Sequence, residues 1–188
     1  EWVQNDKDTF QNDYLTFLPN FILSYKIDML QSIKFSYSKR LSRPGIYYIN
    51  TNSLANDILN IEKGNPYLKP SNSHNLEVGY NNFSGKYKGS YYLFAKHSTN
   101  LIEPIVTISG DTAVTNYKNL SENNSVGINY YGSISFNNLD LRAGFNLYTF
   151  QTTRESLGRV LYNWNTGGSY DLGKGYKIET WGLFRSPT

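Results

Sequence analysis

The 188-residue sequence contains no cysteine, which excludes a disulfide framework, a thiolate metal site and a cysteine nucleophile. It has no stretch near the roughly 18 consecutive apolar residues that a membrane-spanning helix requires. The 18 basic and 15 acidic residues are scattered, and a net charge of +3 without clustering argues against a nucleic-acid partner. A membrane protein built from strands stays open, because a barrel strand needs only about 10 residues of alternating character.

Aromatic residues are abundant, with 17 Tyr, 10 Phe and 3 Trp, although the mean hydropathy is −0.53. Tyr, Phe, Trp, Ile, Val and Thr favour strands, whereas Asn, Ser and Gly favour turns and wet faces. The composition therefore indicates an all-β fold with little support for helix.

Period-two alternation is the main evidence for individual strands. Within residues 31–40, Ile33, Phe35 and Tyr37 alternate with polar residues, and within residues 125–136 apolar residues alternate with polar ones, with glycine filling one place on each face. Residues 139–148 repeat the pattern after the two-residue turn signal Asn137-Asn138. The alternation predicts an antiparallel up-and-down meander of about eight strands. These lie at about residues 14–27, 29–42, 72–83, 86–103, 112–136, 139–151, 158–171 and 175–185.

The connections between these strands alternate in length. Tight turns are predicted near Asp28, Ser84-Gly85, Asn137-Asn138 and Gly173-Lys174-Gly175. Longer links are predicted at about residues 43–71, 104–111 and 152–157, with a turn or two of helix at residues 53–59. Short turns at one end and longer loops at the other are typical of outer-membrane barrels, but alternation alone fits a soluble β-protein equally well.

Three sequence segments occur in a distinctive order. A predicted strand ends in Ser-Lys-Arg-Leu-Ser-Arg-Pro-Gly-Ile-Tyr at residues 38–47, and after a loop come Gly-Asn-Pro-Tyr-Leu-Lys-Pro at residues 64–70 and His-Asn-Leu-Glu-Val-Gly-Tyr at residues 74–80. In this order they resemble the outer-membrane β-barrel family of TonB-dependent receptors that is common in Bacteroidota, in which the first segment has an "S-x-x-R-P-x-Y" pattern. Weaker likenesses at residues 97–102, 117–120 and 186–188 extend the resemblance over roughly residues 15–188.

The resemblance implies that residues 1–188 are part of a larger transmembrane β-barrel in the outer membrane of a Gram-negative bacterium, without plug domain or signal peptide. It implies an import receptor rather than an enzyme, with no cofactor. The expected partners are the lipid bilayer, an imported ligand, and the TonB complex through parts absent from this chain. The loops at 43–71, 104–111 and 152–157 would form part of the outer vestibule, and the substrate stays open among siderophores, glycans, peptides and vitamins.

The motif at residues 64–70 also has a direct physical interpretation. Pro66 and Pro70 restrict the residues before them to extended conformations, and Gly64 supplies freedom in the turn. The motif is therefore interpreted as a device that returns the chain from the loop into the next strand, in preference to a ligand contact.

No catalytic constellation is visible, since the sequence has no G-x-S-x-G elbow, H-E-x-x-H pair or P-loop. His74 and His97 lie near the loop ends of their strands and could face each other, but polar groups at a wet interface are the preferred interpretation. A carboxylate pair or metal site formed by Glu103 and Asp111 is unsupported. We predict no catalytic, cofactor or metal residues, and the ligand-binding residues stay unknown.

Aromatic belts at the lipid headgroups are predicted at both ends of the strands. The members are Tyr25, Phe83, Phe136 and Tyr176 at the short turns, and Tyr47, Tyr48 and Tyr148 toward the long loops. Two alternatives remain: a soluble secreted β-sandwich that binds a carbohydrate or protein, and a small eight-stranded structural barrel. The small barrel would require its first strand to pair with its eighth.

Overall fold

A computed structural model describes residues 2–4, 9–11, 15–51, 54–57, 59–153 and 158–187. The strands are β1 (Trp2–Gln4), β2 (Thr9–Gln11), β3 (Asn20–Lys26), β4 (Gln31–Ser42), β5 (Leu54–Asp57), β6 (Asn60–Lys63), β7 (Ser71–Asn82), β8 (Tyr87–Ser109), β9 (Thr112–Phe136), β10 (Leu139–Thr152), β11 (Arg159–Gly173) and β12 (Tyr176–Arg185). One short helix, α1, spans Ile46–Ile49.

A ten-stranded sheet dominates the fold, with hydrogen-bonded neighbours in the order β12-β11-β10-β9-β8-β7-β4-β3. Strands that follow one another along this order pair as an antiparallel meander, while β5 pairs with β6 and β6 adds in parallel to β9. β1 and β2 form a separate two-stranded sheet. The prediction of an all-β antiparallel meander is confirmed, and all eight predicted strands correspond to observed ones.

Two strand boundaries differ from the prediction. The first predicted strand, 14–27, is reduced to β3 because Pro19 lacks an amide hydrogen and restricts the residue before it; Tyr14 lies outside the described residues. The predicted link at 104–111 is wrong, because β8 continues to Ser109 and a tight turn at Gly110 leads directly into β9. A proline is tolerated in a strand where its nitrogen is not needed by the ladder, and Pro104 does not end β8.

The interior of the 43–71 link also differs from expectation. Residues 54–57 form β5 instead of the expected turn or two of helix, because pairing with β6 overrides the weak local helix preference; Ser53 and Ile58 lie outside the described residues. The observed helix α1 follows Gly45, and the Asn50 N–H donates to the carbonyl of Ile46 at 2.9 Å.

The register of β9 to β12 sorts their side chains into two faces. On the apolar face, directly opposed residues form the row Tyr130, Phe145, Trp164 and Phe184. On the polar face the corresponding rows are Asn129, Asn146 and Asn163, then Ser133, Arg142, Gly167 and Trp181, then Ser135, Asp140, Ser169 and Glu179. Since alternate residues of a strand point to opposite sides, the sequence pattern sets both faces.

The chain divides into two compact units. The first comprises residues 1–18, 39–73 and 98–122, and the second comprises residues 19–38, 74–97 and 123–188. In the first unit Ile49, Leu68 and Tyr117 form a small buried cluster, with Ile102 packed against it. In the second unit the described part contains no buried hydrophobic side chain of this kind, and the apolar face is open: Trp164 is 52% exposed and Phe184 59%.

Candidate functional site

The first unit contains the loop of residues 43–71, which the family resemblance assigned to the outer vestibule. Within it, the β5–β6 hairpin lies against the edge of β9, with Asn60 opposite Ala113 and Lys63 opposite Asn116. The Ala113 N–H donates to the carbonyl of Leu59 at 2.7 Å. The long loop is thus joined to the sheet by main-chain hydrogen bonds.

The Gly-Asn-Pro-Tyr-Leu-Lys-Pro motif, residues 64–70, fixes the same loop a second time. The Gly64 N–H donates to the carbonyl of Asn50 at 2.9 Å, and the Asn65 N–H donates to that of Tyr48 at 2.7 Å. A Cβ atom at Gly64 would overlap the backbone of Asn50, so only glycine permits this approach. The Asn65 side-chain amide donates to the Tyr117 carbonyl at 2.9 Å.

Tyr117, on β9, is the centre of an aromatic cluster that seats α1. Its ring is 6% exposed and lies edge-on to Tyr48 and Tyr47, with centroids 4.8 and 6.1 Å apart. The Tyr117 hydroxyl donates to the carboxylate of Glu62. Edge-to-face aromatic pairs typically add about 0.5–1.5 kcal/mol beyond area burial, so this cluster contributes to holding the loop.

The Glu62 carboxylate is an acceptor for two tyrosines. Hydrogen bonds from Tyr117 and Tyr47 hold the pKa of the Glu62 carboxyl below its ordinary value, because they stabilise the ionised form. The same hydrogen bond raises the pKa of the Tyr47 hydroxyl, because ionisation would abolish the donor. The Asn119 side-chain amide is hydrogen bonded to the main chain of Lys69. We refer to Tyr47, Glu62, the motif at 64–70, Tyr117 and Asn119 together as the loop clamp.

The interpretation of the motif as a structural device agrees with these contacts. The amide groups of Gly64 and Asn65 are directed at the main chain of the loop and of β9, and Leu68 is 1% exposed. Tyr117 and Asn119 as clamp residues were missed by sequence reasoning. The only signal was their position in the segment Tyr-Lys-Asn-Leu, whose strand location gave no reason to choose these two side chains.

The remaining candidates are placed as follows. His74 and His97 do face each other, with ring centroids 6.5 Å apart. Glu103 lies within β8 and accepts a hydrogen bond from Ser121, whereas Asp111 lies in the turn between β8 and β9. No group of three or more potential metal-ligating His, Asp or Glu side chains occurs among the residues with described positions.

The predicted aromatic belts receive different outcomes at the two ends. Tyr25, Phe83, Phe136 and Tyr176, near the short turns, are all exposed, from 45% to 70%, so a belt there remains a prediction. Near the long loops, Tyr47 and Tyr48 pack against Tyr117 but remain 46% and 39% exposed, so a belt position for these two also remains a prediction. Tyr148 is instead on the polar face opposite Gly127, with its ring 6.3 Å from that of Phe94.

The polar face of the second unit contains a depression along β10 to β12. Its floor is formed in part by Gly167, and Arg142, Glu179 and Trp181 line it. Ser169 also lines it, and the hydroxyl of this 7% exposed residue has no hydrogen-bond partner in the described part of the chain. The depression thus offers a cation, an aromatic ring and an unused hydroxyl.

Comparison with known proteins gives the class. Among solved structures, the siderophore receptor PirA from Acinetobacter baumannii is similar, with a TM-score of 0.66, 16% identity, and 86% of this chain and 27% of that one covered. The FrpB iron transporter from Neisseria meningitidis has a TM-score of 0.66 and 14% identity, and the match covers 88% of this chain and 26% of that one. The copper transporter OprC has a TM-score of 0.61 and 12% identity, and the match covers 98% of this chain and 29% of that one. The chain therefore spans about a quarter of the length of these proteins. No curated protein matches.

The chain is a two-faced antiparallel meander whose fold matches part of the β-barrels of these proteins. Its class is therefore a segment of a transmembrane β-barrel. The model of the outer membrane protein beta-barrel family matches residues 3–188, and the chain belongs to that family. It is part of a larger barrel in the outer membrane of a Gram-negative bacterium, as the sequence predicted. No helix in the described ranges is both long and apolar enough to cross a membrane.

Proposed function

We propose that this chain forms part of the barrel wall of a TonB-dependent receptor that imports a ligand across the outer membrane, and that it is not an enzyme. The observation that carries the proposal is the open apolar face of the two-faced sheet, in a chain whose longest loop is held back onto β9 by the loop clamp. The similar solved proteins, a siderophore receptor, an iron transporter and a copper transporter, support transport as the class of function.

The apolar face supports contact with the bilayer. In a barrel the outward side chains meet lipid while the polar ones face the interior, and here Val126, Trp164 and Phe184 are 52–60% exposed in one apolar surface. A soluble β-sandwich would bury such a face against a second sheet. The buried hydrophobic residues in the described ranges are only Ile49, Leu68 and Tyr117, which does not amount to a sandwich core.

A small closed eight-stranded barrel is also disfavoured. Closure requires the first and last strands to pair, whereas β3 and β12 stand at opposite ends of the strand order determined from the described residues. The larger wall is therefore preferred.

We assign two surfaces of the chain to the import path. The clamped loop of residues 43–71 would form part of the outer vestibule, and the depression lined by Arg142, Ser169 and Trp181 would line the interior. The expected partners are outer-membrane lipid, the TonB complex acting through the rest of the receptor, and an imported ligand. Because the sequence resembles receptors of Bacteroidota, the proposal includes a bacterium of that group as the source of the chain.

Uptake by the complete receptor in cells tests the proposal. Cells that carry or lack the receptor gene would be given radiolabelled ferric siderophores, copper, oligosaccharides and vitamin B12, each with and without a functional TonB complex. We expect receptor-dependent accumulation of one class, abolished when TonB is inactive. Accumulation that does not depend on TonB, or no receptor-dependent accumulation of any class, would contradict the proposal.

A further inference from the structure

A row of four polar side chains crosses neighbouring strands of the second unit on the face that is otherwise apolar. Tyr37 of β4 is hydrogen bonded to His74 of β7, with 2.9 Å between the hydroxyl and Nδ1. His97 of β8 is hydrogen bonded to Asn124 of β9, with 2.7 Å between Nδ1 and Oδ1. The two imidazole rings face each other at the middle of the row, 6.5 Å apart and tilted by 35°.

The position of the row is unusual for polar groups. His74 has the same parity along β7 as Leu76 and Val78, which are 41% and 43% exposed, and His97 has the same parity along β8 as Leu93, which is 57% exposed. His74 is the fourth residue of β7, and His97 lies near the middle of β8. The pair therefore interrupts the apolar surface near the long-loop end of β7.

The hydrogen bonds at Nδ1 of each ring bear on which nitrogen could serve as a metal ligand. The Oδ1 atom of Asn124 can only accept, so Nδ1 of His97 donates, and Nε2 of His97 carries the lone pair. The Tyr37 hydroxyl is able both to donate to and to accept from Nδ1 of His74, and in the tautomer in which it accepts, Nε2 of His74 also carries a lone pair. Neither Nε2 atom has a hydrogen-bond partner within the described ranges.

This arrangement matches what a metal-binding histidine requires. Imidazole ligands in proteins almost always donate their other N–H to an oxygen, which fixes the tautomer and the orientation of the ring. Two imidazoles that share one tetrahedral ion, at metal–nitrogen distances of about 2.0–2.1 Å, have ring centroids roughly 5 Å apart. The two ring centroids in the structure, 6.5 Å apart, therefore need to approach by roughly 1.5 Å.

We propose that His74 and His97 form a cross-strand site for a late first-row transition-metal ion such as Zn²⁺, Ni²⁺ or Cu²⁺. Nε2 of each ring is a ligand, water completes the coordination, and Tyr37 and Asn124 are positioning residues. Imidazole suits these ions, whereas Mg²⁺ and Ca²⁺ prefer oxygen ligands. A bound ion would tie β7 to β8 near the long-loop end of β7, independently of any imported ligand.

Metal binding by the complete, metal-stripped receptor in detergent tests the site. Zn²⁺ is titrated by calorimetry, and Cu²⁺ is followed by electron paramagnetic resonance, which reports equatorial imidazole nitrogens. The parent should bind one equivalent more than His74→Ala and than His97→Ala, with two imidazoles in its Cu²⁺ spectrum. Asn124→Ala should keep the equivalent but weaken it about tenfold, and Mg²⁺ and Ca²⁺ should not compete.

Three outcomes would overturn the proposal: equal stoichiometry in the parent and both alanine variants, loss of the equivalent in only one of them, or displacement by Ca²⁺. A measurement on the parent protein alone covers the case in which a variant fails to fold. Zn²⁺ should protect His74 and His97 together from diethyl pyrocarbonate, as read by mass spectrometry, and modification of both at an unchanged rate would equally overturn the site.

Discussion

Asn119 is hydrogen bonded to the main chain of Lys69 through both atoms of its side-chain amide. Nδ2 donates to the Lys69 carbonyl at 2.8 Å, and the Lys69 N–H donates to Oδ1 at 2.8 Å. Nδ2 also donates to the carbonyl of Asn100 at 2.7 Å. A side chain of β9 thus takes the place of a neighbouring strand for the returning loop, at the point where the chain re-enters the sheet at β7.

Replacing Asn119 with alanine should release the end of the loop. The substitution removes two hydrogen bonds to the main chain of Lys69 and one to that of Asn100, each typically worth about 0.5–1.5 kcal/mol. Chymotrypsin cleavage after Tyr67, which is 75% exposed, should accelerate about tenfold or more, as 1.4 kcal/mol corresponds to a factor of ten. Lys118→Ala, at the exposed neighbouring position, is the matched control, and equal cleavage of the two variants would contradict the assignment.

Gly64→Ala should destabilise the loop clamp, whereas Gly45→Ala should not. A Cβ atom at residue 64 overlaps the backbone of Asn50, while at residue 45 its nearest neighbour is a ring carbon of Tyr48 at 3.8 Å. Overpacking of this kind typically costs about 1–3 kcal/mol. Thermal unfolding of the loop, followed by a fluorophore at Tyr67→Cys in the otherwise cysteine-free chain, should show a lower transition temperature for Gly64→Ala alone.

The attachment of the loop should depend on pH in two separate ranges. Hydrogen bonds from Tyr117 and Tyr47 place the pKa of Glu62 below its ordinary 4.5, so its contribution is complete above pH 4.5 and is lost as the pH falls through the lowered value. The pKa of Tyr47 is raised above its ordinary 10.0, mainly by its hydrogen bond to Glu62, so its contribution is complete below pH 10.0 and is lost as the pH rises through the raised value.

The anisotropy of the same fluorophore at residue 67 measures this dependence. It should stay constant between about pH 4.5 and 10 and fall on either side as the loop gains freedom. Glu62→Gln should remove the acid transition, because no carboxylate is left to protonate. An acid transition that persists unchanged in Glu62→Gln would show that another group is responsible.

The sheet was predictable because its information is local. Alternation such as Val126, Ile128 and Tyr130 needs no knowledge of the neighbouring strand, and the Asn137-Asn138 turn, with Asn137 at φ 38°, is encoded in two residues. The fold class, the main strands and the tight turns between them therefore followed from the sequence.

The loop clamp was not predictable because its contacts join distant positions. Glu62 meets Tyr117 across 55 residues and Lys69 meets Asn119 across 50, and neither pair produces a periodic signal. The predictions for β5 and for the end of β8 were wrong for the same reason. Pairing with neighbouring strands overrode the local preferences of residues 54–57 and of Pro104. The facing histidines were anticipated only because both lay at predicted strand ends.

Arginine at two adjacent positions of β9 should have different effects on insertion into a bilayer. Val126 is 60% exposed on the apolar face, and Ser125 points to the polar face because successive side chains alternate. Arginine on a lipid-facing strand position costs about 2–4 kcal/mol near the bilayer midplane and about 0–1 near the interface, whereas interior positions face water. Val126→Arg should therefore lower the fraction of the complete receptor that folds into phospholipid vesicles, judged by its heat-modifiable mobility, and Ser125→Arg should fold as the parent does. If Ser125→Arg were the impaired variant, the assignment of the two faces would have to be reversed; if both folded equally well, Val126 would not contact lipid.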